Sequence, residues 1–598
     1  MASSSLAEDR ELAYPRLIEL GIALSAEHNH NRLLEKILVG AKELTNADGG
    51  TLYLVGEAGR ELCFTIMRND TMGMALGGTT GAPIPFPPVP LREPDGTPNY
   101  KNVVAAAAIT GETINLADAY NAPDFDFAGT RAFDARTGYR SQSFLNVPLK
   151  NHEAEVVGVL QLINARGREG HTIAFSAETV PLIEALASQA AVALDNQMLI
   201  EAQRNLFRSF LRVFAGAIDA KSAYTGGHCH RVPELTNMLA RAADAAEEGP
   251  LSDFHLTDLE WYELEVAGGL HDCGKVTTRE FVVDKATKLE TIYNRIHEIR
   301  TRFEIVKRDA EIEYLRAVMA GGDEPALRSA RDARLAELDD DFAYVAECNI
   351  GGEFMAPEKI ARLQRIAGVA WQRTLDDRLG LSWEESARQP QTRESLPATE
   401  HLLADKPGHI IEHDGAPLAP DNPWGFVVKP PPHKANLGEV YNLSIRYGTL
   451  TAEERYHIND HIVQTIIMLE ALPYPKDLRR VPEWAGGHHE KMDGTGYPRG
   501  LKRDQMSIPA RIMMIADIFE ALTARDRPYK ARKKLSECID IMARMSREGH
   551  IDPDLFGLFL TSGVYRTYGA KFLLAEQIDE VDIARYLGAP SQREAAVA

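Results

Sequence analysis

The chain has 598 residues, 44% of them apolar and 26% charged, a composition that belongs to folded protein and excludes disorder as the overall state. Its 66 Lys and Arg stand against 87 Asp and Glu, and the net charge of −21 excludes a general nucleic-acid binder, because a polyanion needs a basic footprint. Five widely spaced cysteines with no Cys-x-x-Cys pair exclude a disulfide framework and point to a reducing cytoplasm. Residues 1–17 lack a basic stretch followed by an apolar one, so no secretory signal is expected. No run of about 18 apolar residues occurs, so no membrane span and no membrane partner are expected.

In chain order, residues 11–45 read as helix, with Leu17, Leu20, Leu24, Leu33, Leu34, Ile37 and Leu38 at three- and four-residue spacing. Residues 51–55 and 61–65 read as strands, 77–96 as a Pro/Gly-rich loop, and 143–149 and 155–163 as central strands joined by a turn at 151–154. Helix, strands, helix is an α+β module with a central antiparallel sheet, assigned to 12–177. From 178 to 220 the pattern stays helical, with Leu182, Leu186, Ala190, Leu194, Ile200, Phe207 and Leu211 drifting along one side and no Gly or Pro over 182–215. A helix of this length, about 50 Å at 1.5 Å per residue, predicts a connector and a homodimer built on it as a coiled coil. Beyond 220 nearly everything reads as α-helix: an all-α body over 221–306 and 434–580, a charged and Pro-rich surface insertion of helices and loops over 307–433, and a tail over 581–598.

The chemistry concentrates in that body. His271-Asp272 follows an apolar stretch and precedes Gly274-Lys275. Imidazole suits transition metals, and a carboxylate can bridge two of them. Further candidates are His228, His461, the pair His488-His489, and Asp517, which falls in the apolar run 512–519 where a carboxylate is costly unless paired or metal-bound. His297 competes with His461 by lying closer to His271, but the segment 448–454 leads into His461, which we favour. His230 and His457 read as surface or supporting groups, and His550-Ile-Asp552 as a helix cap. Gly321-Gly-Asp-Glu324 resembles the diguanylate-cyclase signature, yet Pro325 follows it and no β-rich sequence surrounds it, so it reads as a chance match.

At these residues the sequence resembles the HD-GYP phosphodiesterases, metal-dependent phosphohydrolases that act chiefly on cyclic di-GMP. The resemblance rests on the paired histidines followed by Gly496-Tyr497-Pro498, on Ser507-Ile-Pro-Ala-Arg511, Ile515-Ala-Asp517 and Asp526-Arg-Pro-Tyr-Lys530, and on 448–454. It implies that His228, His271, Asp272 and Asp517 hold one metal, and that Asp272 bridges to a second held by His461, His488 and His489. Two divalent ions per chain, iron or manganese, are expected; Tyr224 stands where some members carry the glutamate of a third site. Lys275 and Asp272 would act at the scissile phosphate, and Arg527, Lys530, Gly496, Tyr497 and Pro498 would bind substrate. One extra residue separates Asp517 from the basic pair.

The N-terminal module resembles a GAF domain, a small-ligand sensor, on Gly111-Glu-Thr-Ile-Asn-Leu-Ala-Asp-Ala-Tyr-Asn121, Thr137-Gly-Tyr-Arg140, Val147-Pro148 and 158–164. It leans toward the cyclic-nucleotide type, with Ala165 and Glu178-Thr179 as departures. The resulting expectation is a cytoplasmic enzyme in which a GAF sensor with an unidentified ligand regulates hydrolysis of cyclic di-GMP to a linear dinucleotide, or onward to GMP. Three alternatives remain open: a catalytically silent binding module, a phosphohydrolase acting on cyclic GMP-AMP or another phosphoester, and a GAF domain that serves only dimerisation.

Overall fold

The computed structural model describes residues 2–27, 29–56, 58–221, 227–352, 354–415, 421–524 and 532–587, and for 2–13 the backbone alone. The chain forms two units, Met1–Phe207 and Arg208–Ala598. In the first, the stretch read as one helix over 11–45 is two, α1 (Ala2–Ser25) and α2 (His30–Thr45). The division follows from Asn29, whose side chain accepts from the Arg32 amide and caps α2. The strands are β1 (Ala47–Val55), β2 (Glu61–Asn69), β3 (Met74–Gly77) and β4 (Val89–Pro90). After α3 (Val103–Thr110) come β5 (Ile114–Leu116), α4 (Ala128–Thr137), β6 (Phe144–Lys150), β7 (Val156–Arg166) and β8 (Thr172–Ile173). They pair antiparallel in the order β3-β2-β1-β7-β6-β5, with β4 on β2 and β8 on β7.

Neighbouring residues of a strand face opposite sides of its sheet, so two cores form. Leu52, Leu145, Leu160 and Leu162 pack with Leu33, Leu34, Ile37 and Leu38 of α2 and with Ile183, Leu186, Ala190 and Leu194. Tyr53, Phe144 and Val159, one residue out of step, pack with Val103, Val104, Ala107 and Phe127. The predicted connector is one helix, α5 (Val180–Lys221).

The second unit opens with α6 (His228–Asp244), α7 (Asp258–Leu270) and the short α8 (Glu280–Val283). A long hairpin follows, α9 (Ile296–Met319) and α10 (Glu324–Ile350), then α11 (Pro357–Ala367), β9 (Ala370–Arg373), α12 (Trp383–Arg388), β10 (Ala398–His401), β11 (Ile410–Ile411) and β12 (Ala435–Asn436). The chain then forms α13 (Glu439–Leu443), α14 (Ala452–Glu470), α15 (Val481–Gly486), α16 (Ile508–Thr523), α17 (Leu535–Arg547), α18 (Pro553–Thr561) and α19 (Val564–Phe572). Helix α6 packs on α7 and α16, and α15 packs on α7, α14 and α16.

The body of the second unit is helical as expected, and the insertion adds two short strand pairs, β9 with β10 and β11 with β12, the last strand lying at its C-terminal edge. The insertion boundary at 307 falls inside α9, and the segment is more than a surface excursion. Leu289, Ile299 and Phe303 share one core with Leu338, Val345, Leu363, Ile366, Leu402 and Leu443. Gly321–Glu324 is the turn and first residue of the hairpin's second helix, where Pro325 suits a helix start. Among the described residues, no helix is long and apolar enough to cross a membrane.

Candidate metal centre

Each candidate ligand stands at a helix end or on the inner face of a helix. His228 is the first residue of α6, after Gly227 at φ 83°. Helix α7 starts at a capping box, Thr257 with Glu260, and runs out at His271. Asp272 then precedes a tight turn, Cys273–Thr277, pressed on α14. A Cβ on Gly274 would meet the His461 carbonyl oxygen at 1.9 Å, so only glycine permits the approach. There the Gly274 amide donates to Thr465 Oγ1 at 2.8 Å. His461 is on the buried face of α14, whose N-terminus is fixed by the Thr451–Glu454 capping box. His488 and His489 follow α15, and Asp517 lies on α16, capped by Ser507.

These seven side chains form two sets. His228, His271, Asp272 and Asp517 offer ligand atoms within 4.8 Å of one another, and so do His461, His488 and His489. Asp272 lies between them. Its Oδ2 is 2.9 Å from His228 Nε2 and 3.2 Å from His271 Nε2, while its Oδ1 is 3.3 Å from His461 Nε2. Asp517 Oδ1 is 3.3 Å from His228 Nε2, and the Nε2 atoms of His461 and His489 are 3.1 Å apart.

The ring orientations are set from behind. The Nδ1–H of His271 donates to the Gly268 carbonyl at 2.7 Å, that of His461 to Ile458 at 2.5 Å, and that of His488 to Ala485 at 2.7 Å. A carbonyl can only accept, so Nδ1 carries a proton in each ring and Nε2 is the atom turned to the centre. His271 Nε2, His488 Nε2 and Asp272 Oδ1 are buried without a hydrogen-bond partner among the described residues. Buried polar atoms left in this way are rare and costly. Converging ring nitrogens and a shared carboxylate are the donor set that divalent cations of the iron–zinc series take, so the residues fit two such ions.

The electrostatics of Asp272, His488 and His489 agree. Burial would raise the Asp272 carboxyl, but Lys275 and His271 outweigh it and hold it well below the carboxylate range. Burial, then the neighbouring His271, pushes His488 down to about 4, and burial with His488 and His461 pushes His489 down as well. Those rings are neutral, as a metal ligand must be. Burial and Lys275 would lower His228, but Asp272, Asp517 and Glu520 raise it well above its ordinary value. Lys275 Nζ lies 2.5 Å from Asp272 Oδ2, and its ammonium is held by that contact.

Tyr497 also lies against the centre, its ring stacked on that of His489 with centroids 5.0 Å apart and planes 12° apart. Gly496 lets this loop fold back, since a Cβ there would meet the Lys491 amide nitrogen at 2.3 Å. Pro498 is buried next to it. His297 is exposed on α9 and binds Arg300, and His230 is exposed, in line with their exclusion. Asp552 caps α18 as expected, and also binds Arg503 and Arg511. Arg527, Lys530 and Tyr224 lie outside the described residues.

Sequence reasoning missed Glu520 and Glu490. Glu520 Oε2 accepts from His228 Nδ1 at 2.5 Å, and its Oε1 accepts from Arg231 at 2.6 Å. The signal was available: Glu520 is three residues after Asp517 on the same apolar helix, so the two share a face. Buried Glu490 accepts from the Arg499 amide at 2.7 Å and the Leu501 amide at 2.9 Å, bracing the Tyr497 loop.

The first unit holds a cavity of about 220 Å³ whose lining includes Tyr53, Phe64, Arg68, Phe133, Tyr139 and Gln161.

Residues 397–555 match the HD domain family, and residues 29–194 match the GAF domain family. The first span holds His461, His488, His489 and Asp517; His228, His271 and Asp272 precede it. A 3′3′-cGAMP-specific phosphodiesterase of Vibrio cholerae serotype O1 is 45% identical over 80 residues, 13% of this chain and 18% of that protein. A cyclic di-GMP phosphodiesterase of Pseudomonas aeruginosa is 44% identical over 79 residues, 13% of this chain and 18% of that protein. The chain thus spans under a fifth of the length of either relative. Among solved structures, the GAF domain of a phosphoenolpyruvate-protein phosphotransferase from Coxiella burnetii is 17% identical with a TM-score of 0.24, covering 32% of this chain and 96% of that one.

Proposed function

We propose that this chain, which carries a GAF domain and an HD domain, is a metal-dependent phosphodiesterase that opens cyclic dinucleotides. The observation that carries the reading is the pair of donor sets sharing Asp272, with two ring nitrogens and one carboxylate oxygen buried without a hydrogen bond among the described residues. His228, His271, Asp272 and Asp517 would hold one divalent cation, and His461, His488 and His489 with Asp272 a second, iron or manganese. Bound there, the cations would supply Lewis acidity toward a phosphodiester and activate water.

The chain's own residues do the rest. Asp272 keeps its negative charge and faces both sets. Lys275 holds an ammonium at the edge of the centre, where it can balance charge on a phosphoryl oxygen or give a proton to the leaving 3′ oxygen. The Tyr497 loop walls one side, and Arg527 and Lys530 are assigned to the phosphates by resemblance alone. Cyclic di-GMP is the first substrate to test, with a linear dinucleotide as product and GMP as the product of a second cut. The similar identity to a relative named for 3′3′-cGAMP gives that dinucleotide equal claim to a trial.

The GAF cavity is proposed to take a small regulatory ligand, and α5 to pair with a second copy of the chain. The cysteines are free, in keeping with a cytoplasmic setting. The test is turnover of both dinucleotides by the full chain loaded with Mn²⁺ or Fe²⁺, beside His271→Ala and Asp272→Asn. Loss of activity in both variants supports the reading, and undiminished turnover in either overturns the ligand assignment.

A further inference from the structure

The insertion returns to the body of the second unit through residues 421–428, and there it meets the loop that carries Tyr497. Asn422 folds the segment on itself: its Oδ1 accepts from the Phe426 amide at 3.0 Å and its Nδ2 donates to the Phe426 carbonyl at 2.9 Å. The rings of Trp424 and Phe426 lie 9° from parallel with centroids 5.8 Å apart. Phe426 is not part of the insertion's own core. It is buried with Ile462, Val463 and Ile466 of α14, and Tyr497 packs against the same cluster.

Two hydrogen bonds fasten the segment to the loop. The Val427 amide donates to the Pro498 carbonyl at 2.8 Å, and Arg499 Nε donates to the Trp424 carbonyl at 2.8 Å. The same arginine pairs with Glu470 of α14 at 2.9 Å and has its guanidinium 5.8 Å from the Phe426 ring. On its other side the loop presents Tyr497 to His489. A continuous run of contacts thus leads from the insertion, through one loop, to a candidate ligand.

We infer that residues 422–428 are a positioning strap: this part of the insertion holds Tyr497 against His489 and sets how the centre receives its substrate. The inference rests on the proposed metal centre for its functional meaning and on the contacts alone for its structural one. Trp424 and Phe426 act through Tyr497 and Arg499 and are positioning residues.

The experiment compares Phe426→Ala and the milder Trp424→Leu with wild type in the full, metal-loaded chain. Hydrogen exchange is followed at the amides of Tyr497 and Arg499, beside those of α6 as an internal reference. We expect loop exchange to quicken about tenfold while α6 is unchanged. We expect KM for the cyclic dinucleotide to rise about tenfold with kcat within about twofold, and Phe426→Tyr to restore both. Metal content at saturation should match wild type. Exchange unchanged at the loop, or quickened equally in α6, overturns the strap, and so does a fall in kcat with KM constant. If Phe426→Ala fails to fold, Trp424→Leu decides by the same readings. If wild type turns over no cyclic dinucleotide, the activity reading fails while the exchange comparison still judges the strap.

Discussion

Unlike His271, His461 and His488, His228 turns its Nδ1 to a carboxylate, that of Glu520, at 2.5 Å. A charged acceptor behind the ring raises its basicity more than a carbonyl does, and such outer partners typically govern metal affinity by about 10–100-fold. Glu520→Gln should therefore weaken one of the two sites by about that factor while sparing the other, as read by metal titration of the purified chain. An unchanged titration would confine Glu520 to holding Arg231. At Gly274 the argument is steric. An added methyl carbon would stand 1.9 Å from the His461 carbonyl oxygen, so Gly274→Ala must push the Asp272 turn off α14. Overpacking of this kind costs about 1–3 kcal/mol, so thermal unfolding should come earlier and metal content should fall together with it. Full occupancy in the variant would show that the turn can shift without disturbing Asp272. Of the seven candidate ligands, His271 and Asp272 were legible after an apolar stretch and Asp517 within one, while His461 was read from the segment 448–454 that leads into it. Their carbonyl partners were not, since Gly268, Ile458 and Ala485 contribute only main-chain atoms whose direction no side-chain pattern reveals. Glu520 went unread although it satisfies the same criterion as Asp517.

At the scale of elements, the insertion is where sequence and structure diverge, and the reason is amphipathicity of a thin kind. Helices α9 and α10 bury narrow stripes, Phe303 with Val306 and Leu338 with Val345, and their remaining surface is charged. In sequence such a stripe is lost among the acidic clusters. The four-residue strands β9 and β10 are too short to show an alternation. By contrast the first unit announced its strands through runs of β-branched and aromatic residues, and the connector through some forty residues of helical pattern. An ion pair ties the two parts of the body together where the insertion leaves it: Arg302 of α9 reaches Glu439 of α13 at 2.8 and 2.7 Å, and the Ala404 amide of the insertion adds a third bond to Glu439 at 2.9 Å. Burial would raise the Glu439 carboxyl, but the Arg302 bonds and charge outweigh it and hold it below its ordinary 4.5. A depressed carboxylate stabilises the fold above its unfolded value, and that stabilisation is lost as pH falls from about 4.5 through the folded value. Glu439→Gln should cost up to about 3 kcal/mol at neutral pH, because it leaves Arg302 with only the more exposed Glu298, 3.7 Å away. It should also flatten the acid limb of stability in urea titrations between about pH 5 and 3 by roughly this one group's share. An acid limb identical to wild type would assign acid sensitivity to other carboxylates.

For the whole molecule, α5 carries the argument. Its first turns are committed to the GAF core, where Ile183, Leu186, Ala190 and Leu194 are buried against the sheet. From Val192 onward another face of the helix is open, and Val192, Leu199, Leu206 and Val213 are exposed. They recur at every seventh residue, the period that keeps one seam of a helix facing a partner helix in a left-handed coiled coil. The sequence pattern alone pointed to Leu182, Leu186, Ala190 and Leu194 as part of one long stripe; those serve the GAF core, and the heptad that remains for a partner is a different one. A second copy of the same helix fits such a seam, because symmetric pairing sets each apolar residue against its own counterpart. Leu199→Glu combined with Leu206→Glu would place like charges across that seam. If α5 pairs two copies, wild type should sediment as a dimer and this variant as a monomer, with the GAF fold retained by circular dichroism. Turnover measured on the monomer would then tell whether pairing matters to catalysis: an unchanged rate would mean that each metal centre works alone. A dimer that survives both substitutions would move the interface off α5. The same helix would then be left with a single task, joining the sensor to the metal centre within one chain.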